Sequence, residues 1–264
     1  MGEYGKYWAL VMQIQATIGA YVRRFLKRVA VIGLACALPQ LAVSQSQCRQ
    51  ALALGLDVSG SVDSQEYRLQ IDGLANALES PEVVDKLLAS SKTVINLAIY
   101  EWSGPGHQRV LRDWTALTSR SVIADIADGL RQSTRVPANP STGLGRAMLF
   151  GAEMLAQRPD CWTHSLDVSG DGQSNSGPRP QDVRQDRLLE NVVVNALVIG
   201  ASIPDRDLTS YFEAYVLHGF GSFTMQAESF KEFETAMIKK LLREVQGVMV
   251  SNASPAPTLP NATQ

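Results

Sequence analysis

The chain has 264 residues, 45% hydrophobic and 19% charged, with a formal net charge of −2 at pH 7. That composition suits one globular core of ordinary size. It excludes a collagen-like or largely disordered chain, and the slight acidity speaks against nucleic acid as a partner.

The N-terminus reads as a separate object. Arg23-Arg24-Phe25-Leu26-Lys27-Arg28 is a basic cluster, followed by the uncharged run Val29–Leu38 and by the small residues of Ala42-Val43-Ser44. That is the pattern of a secretory signal peptide over residues 1–44. The run is short for a membrane span, which needs about 20 apolar residues; an uncleaved anchor is the alternative. The paired arginines resemble a twin-arginine signal with its spacing off by one residue. Trp8–Val22 is long for the leading region of a signal, and Met12 is an alternative start. Cleavage after Ser44 removes five basic residues and one acid, leaving a net charge of −6 and two cysteines, Cys48 and Cys161. The expected location is periplasmic or secreted, with no stable membrane insertion after cleavage.

From residue 45 to 250 apolar strands alternate with amphipathic helices. Ala51–Leu56 reads as the first strand. Asp63 with Glu66 predicts a capping box, opening a helix on which Tyr67, Ile71, Leu74 and Leu78 share a face. Val94–Tyr100 and Arg109–Trp114 are strands joined by a link short enough only for a hairpin, so an edge strand is antiparallel. Ile123, Ile126, Ala127 and Leu130 mark one helix; Ala147, Phe150, Met154 and Leu155 mark the next. Ser165–Val168, Val192–Ile199 and Ser222–Gln226 complete six strands. Phe230, Phe233, Met237, Leu241 and Val245 line the last helix, with its Lys and Glu residues expected on the opposite face. The order predicts an α/β fold: a doubly wound, mostly parallel six-stranded sheet with one antiparallel edge strand and helices on both faces. Ser251–Gln264, rich in Pro, Ala, Asn and Thr, is expected to be a disordered tail.

In such sheets ligands bind beyond the carboxyl ends of the strands, where the winding reverses. The first strand ends in Asp57-Val58-Ser59-Gly60-Ser61, and its expected neighbour ends in Ser169-Gly170-Asp171-Gly172. A third polar loop, Asn139-Pro140-Ser141-Thr142-Gly143, precedes a helix. Asp57, Ser59, Ser61, Thr142 and Asp171 are hard oxygen donors with only two carboxylates. That set favours Mg²⁺, with Mn²⁺ or Ca²⁺ as alternatives; zinc prefers His and Cys. Asp-x-Ser-x-Ser by itself is short enough to arise by chance or to serve as a solvated turn, and its place after a buried strand is what gives it weight.

These residues resemble a von Willebrand factor type A domain with a metal-ion-dependent adhesion site. Asp57, Ser59 and Ser61 match the first motif in full. Thr142 aligns with the Thr of a loop commonly reading Gly-Gly-Thr-x-Thr-Gly-x-Ala-Leu, and Asp171 with the Asp of Thr-Asp-Gly. Pro140-Ser141 replace the paired glycines, Leu144 replaces the second Thr, and Gly170 replaces the Thr before the Asp. The wording of Asp167–Gly172 is similar to an exported bacterial branch of unknown function. The resemblance implies that the serines and Thr contact the ion, that the aspartates act largely through water, and that an Asp or Glu of a partner protein completes the shell.

Other residues carry narrower expectations. Cys48 lies nine residues before Asp57 and Cys161 ten before Asp171. Two adjacent parallel strands would therefore bring the sulfurs together at the far end and predict a Cys48–Cys161 disulfide; two free thiols are the alternative. Trp102, His107 and Asn175, with Gln173 and Ser174, are expected on a partner-binding rim, against a Trp folded back onto the hairpin and ordinary loop solvation. Asp167 inside a central strand requires a buried hydrogen-bond partner, or is a second functional carboxylate. No sequence pattern pairs a nucleophile with a base. The leading expectation is an exported, non-enzymatic, Mg²⁺-dependent protein-binding module. The rivals are a Mg²⁺-dependent phosphoester hydrolase and a metal that only ties loops together.

Overall fold

A computed structural model describes residues 46–200 and 207–250, with side chains up to residue 245. The expected signal peptide (1–44) and tail (251–264) lie outside the described residues. The sheet has six strands: β1 Gln47–Asp57, β2 Thr93–Trp102, β3 Gln108–Ala116, β4 Thr163–Gly170, β5 Val192–Ile199 and β6 Thr224–Ala227. Their order is β3-β2-β1-β4-β5-β6. Every pairing is parallel except β2 with β3, the hairpin at the edge. The chain therefore winds outward from β1 in both directions, and the reversal lies between β1 and β4.

Seven α-helices are present among the described residues. They are α1 Ser64–Glu79, α2 Pro81–Leu87, α3 Arg120–Gln132, α4 Leu144–Leu155, α5 Pro180–Val183, α6 Leu208–Tyr215 and α7 Phe233–Val250. Strand alternation sorts them into two layers. Leu52, Leu54 and Leu56 of β1 pack with α1, α2, α3 and α7. Ala51 and Ala53 point the other way, into a core shared with α4, α5 and α6. The capping box at α1 forms: Asp63 accepts from Gln65 and Glu66 N–H, and Glu66 returns a bond to the Asp63 N–H at 2.9 Å.

One expectation is corrected by α7. Lys240 is wholly buried and Glu244 nearly so, instead of lying on the solvent face with Lys239 and Arg243. Both are answered in the sheet. Lys240 pairs with Asp167 of β4. Glu244 accepts from Asn195 Nδ2 at 2.7 Å and from Gln50 Nε2 at 3.2 Å. Asp167 thus has the partner its burial requires, and it is engaged in the core.

At the amino ends of β1 and β4, Cys48 and Cys161 are joined by a disulfide with Cα atoms 4.5 Å apart. Asp160 lies beside both sulfurs, but bonded sulfurs have no thiolate to offer a metal. Cys161→Ser is expected to lower unfolding stability by about 2–4 kcal/mol. Urea melts should show the same loss when the unsubstituted protein is reduced; no loss in either would mean that the bond is energetically idle.

Candidate metal centre

The reversal point sets β1 and β4 side by side, so both strands deliver their C-terminal residues to one edge. Asp57, the last residue of β1, is 0% exposed. Its Oδ1 accepts the Ser59 N–H at 2.8 Å, which curls the chain so that Ser59 and Ser61 point the same way. The two hydroxyls are 3.2 Å apart, and Ser61 Oγ donates to Asp171 Oδ1 at 2.7 Å. The first and third segments therefore meet directly.

The second segment is held against them by main-chain bonds. Gly60 N–H donates to Pro140 O at 2.8 Å, and Gly143 N–H to Ser103 O at 2.8 Å. A Cβ at Gly60 would lie 2.7 Å from Pro140 Cβ and 2.9 Å from Pro140 O, so this approach requires glycine. Pro140 lacks an N–H, but the contact uses its carbonyl, and the departure from paired glycines leaves the docking intact. Thr142 is clamped on both sides: its N–H donates to Asn175 Oδ1 at 2.9 Å, and its carbonyl accepts from Asn175 N–H at 3.0 Å and Ser174 Oγ at 3.2 Å. Ser61, Thr142 and Asp171 line one open depression of about 430 Å³, with Gln173, Asn175 and Leu208 around them.

The electrostatics of this edge are unbalanced. Burial, and then the charge of Asp171, push the Asp57 carboxyl up from 3.8 to about 7, against weaker opposing contacts from Ser59 and the Asp171 main chain. Asp57 Oδ2 is buried without a hydrogen-bond partner. Two nearby carboxylates, three hydroxyls and an orphaned buried oxygen fit a hard divalent cation, whose charge would offset both acids.

Two rim expectations are corrected. Trp102 is 0% exposed: it ends β2 beneath the depression, in the core shared with α4 and α6, because its register places it beside Asp57. His107 is turned to Glu101, its Nε2 3.2 Å from Oε1, and does not line the depression. Glu101 is itself buried and gripped by Arg109 through bonds of 2.8 and 3.0 Å. Asn175 does stand on the rim.

Several supports were not read from the sequence. Gln70 of α1 donates to Asp57 O at 2.8 Å and accepts from Ser169 Oγ at 2.9 Å. Its signal was a polar residue on the helix's apolar face. Arg135 donates to Val58 O and Ser59 O at 3.3 and 3.2 Å, and no local pattern marks it.

The wound sheet with an Asp-x-Ser-x-Ser loop at its reversal point defines a von Willebrand factor type A fold. The chain belongs to the family described as "Protein of unknown function (DUF1194)", whose model matches residues 47–249. No curated protein matches the chain. Among solved structures it is similar to proximal thread matrix protein 1 of the mussel byssus. That match has 18% identity and a TM-score of 0.56, covering 76% of this chain and 49% of the other. Another structure of that mussel protein is described with a zinc-occupied MIDAS motif (17% identity, TM-score 0.52, 76% and 48% coverage). The von Willebrand factor type A protein of Catenulispora acidiphila matches at 16% identity and TM-score 0.50, covering 76% and 43%. The pilus adhesin SpaC of Lactobacillus rhamnosus GG, in its open conformation, matches at 12% and 0.56, covering 78% and 31%. At these identities the likeness is one of fold, and this chain spans about half or less of each of those chains. Among the described residues no helix is long and apolar enough to cross a membrane.

Proposed function

We propose that the protein is an exported, non-enzymatic binding module in which a divalent cation recruits an acidic side chain of a partner protein. The residues that would hold the cation are Ser59, Ser61 and Thr142, with Asp57 and Asp171 balancing its charge. Mg²⁺ is the preferred ion, because the donors are hard oxygens and few are carboxylates. Bound there, the cation supplies Lewis acidity toward an incoming Asp or Glu. Hydroxyl donors neutralise no charge, so attraction for such a carboxylate persists. The chain's own part is to fix the donors on three clamped loops and to leave the depression open on the Asn175 and Gln173 side.

The observation that carries this reading is the meeting of the three segments: Ser61 bonds to Asp171 while Thr142 lines the same depression. The mussel protein's zinc-occupied motif and the pilus adhesin support it by analogy of fold. The periplasm or the exterior is the proposed location, from the signal-like N-terminus.

The test is recovery of partners from the native envelope with Mg²⁺ or with EDTA. EDTA should release the partner, and Ser61→Ala should weaken its binding at least about tenfold, or 1.4 kcal/mol. Undiminished binding under both would refute the reading. Phosphoester turnover with Mg²⁺ that disappears in Asp171→Asn would favour the hydrolase instead. Loss of melting temperature without loss of binding would leave the metal a structural tie.

A further inference from the structure

Beside the depression, two neighbouring residues each bury a polar atom without a partner. Asp57 and Trp102 are paired in the β1–β2 register and point to the same face of the sheet. Both are 0% exposed. Asp57 Oδ2 has no donor, and Trp102 Nε1 has no acceptor. Each such atom, left so, bears the desolvation of a buried polar group, and in folded proteins such atoms are exceptions that require an explanation.

The space between them is defined by a third residue. A Cβ added at Gly170 would lie 3.3 Å from Asp57 Oδ2, 3.3 Å from Phe212 Cζ and 3.7 Å from Trp102 Cζ2. Cζ2 is two bonds from Nε1, so the N–H edge of the indole borders the gap that Oδ2 borders. Gly170 is also where this chain departs from the Thr-Asp-Gly pattern. A threonine would fill the gap with its own methyl and hydroxyl; glycine leaves it to the indole.

We propose that Trp102 is a positioning residue for Asp57: its indole N–H donates to Asp57 Oδ2, directly or through one water, across the space that Gly170 keeps open. With Ser59 N–H on Oδ1, each carboxylate oxygen then has one fixed donor, and the plane of the group is set. The inference rests on the metal reading above, because the orientation of Asp57 serves partner binding through the cation. Hydrogen-bond partners of this outer kind are typically worth 10–100-fold in metal affinity. It also gives the buried tryptophan a role at the site, exerted from below.

The test uses the full chain and three measurements. Calorimetric titration with Mn²⁺ should show Trp102→Phe binding about tenfold or more weakly than the unsubstituted protein. The metal-free melting temperature should fall, since phenyl leaves part of the indole's space empty and Asp57 Oδ2 loses its donor, so the titration is run well below it. Gly170→Ala, which puts a methyl into the gap while keeping Trp102, should weaken Mn²⁺ binding in the same direction. In ¹⁵N NMR of the unsubstituted protein, Mg²⁺ should move the indole N–H signal that is absent from Trp102→Phe, and leave those of Trp114 and Trp162 in place. Unchanged Mn²⁺ affinity in Trp102→Phe, or a Trp102 indole signal indifferent to Mg²⁺, overturns the proposal and leaves the metal site standing. If the unsubstituted protein binds no Mn²⁺, both fall together. Should Trp102→Phe fail to fold, the Gly170→Ala titration decides, and Mn²⁺ affinity unchanged in that variant counts against the proposal.

Discussion

Asp57→Asn is expected to abolish Mg²⁺ binding and, in the same molecule, to stabilise the metal-free fold above neutral pH. Burial and Asp171 hold this carboxyl near 7, against an ordinary value of 3.8. The sign follows from proton counting. Between about pH 4 and 7 the native state keeps a proton that the unfolded chain has lost, so stability falls as pH rises through that window. Above it the full penalty is present, about 4 kcal/mol for a difference of this size. Below about pH 4 both states are protonated and the penalty vanishes. A neutral amide never incurs it, and its oxygen can still accept the Ser59 N–H. Glu244 is also pushed upward, by burial and then by Asp167, so the variant retains part of this slope. The difference between the two proteins isolates Asp57. Thermal melts in EDTA at pH 5 and pH 8 should diverge, with the variant gaining at pH 8. Adding Mg²⁺ to 100 times its Kd should stabilise the unsubstituted protein by about 2.7 kcal/mol and leave the variant unmoved. A variant that is less stable at pH 8, or that still responds to Mg²⁺, would show that Asp57 is a structural residue. The opposed signs are informative because a residue kept for packing alone gains nothing from being removed.

How far the sequence foretold this structure depended on whether a residue's environment is local. Val192–Ile199 is apolar at every position but Asn195, and β5 has those ends. The Asp63–Glu66 cap is written in four adjacent residues and forms as expected. The reversal between β1 and β4 followed from the alternation of strands and helices and the winding rule of such sheets, which act over tens of residues. By contrast, β1 begins at Gln47, not at Ala51. Arg49 and Gln50 are buried, and what makes that tolerable lies far along the chain: the Lys86 and Leu87 carbonyls for Arg49, Ser165 and Glu244 for Gln50. The same reason hid the inward turn of Lys240, whose partner is 73 positions away. In the candidate site, Asp57, Ser59, Ser61 and Asp171 were legible because two strand ends carry them to one edge, and Thr142 because its polar loop leads into α4. The floor was not, since the inward turn of Trp102 depends on its register beside Asp57 and on a core shared with helices far along the chain. Polar residues on apolar faces, such as Gln70, Lys240 and Glu244, were the readable trace of these long-range partners.

Lys240→Met should be among the most damaging single changes outside the candidate site, lowering stability by about 3–5 kcal/mol. Lys240 is 0% exposed. Its ammonium pairs with Asp167, lies 3.9 Å from Glu244 Oε2 and sits 4.9 Å from the Phe223 ring centroid. It is the one cation among these buried groups, and methionine keeps its length but none of its charge. Asp167 would then be an uncompensated carboxylate within a central strand, with one oxygen already lacking a partner, and the repulsion between Asp167 and Glu244 would lose its intermediary. The loss should be smaller in acid and grow as pH rises, because Glu244, pushed up by burial and then by Asp167, takes up a proton in acid and its repulsion with Asp167 ends. Combining Lys240→Met with Asp167→Asn should recover most of the loss, since both members of the pair are then neutral. Urea unfolding of the four proteins at pH 5 and pH 8 gives the coupling energy directly. A single-variant loss under about 1 kcal/mol, within the range of an exposed pair, or a double variant no better than Lys240→Met, would mean that water reaches these groups and that the α7 contact is peripheral. A large coupling would instead identify the pair as the pin that holds α7 against β4, the strand that carries Asp171 to the candidate site.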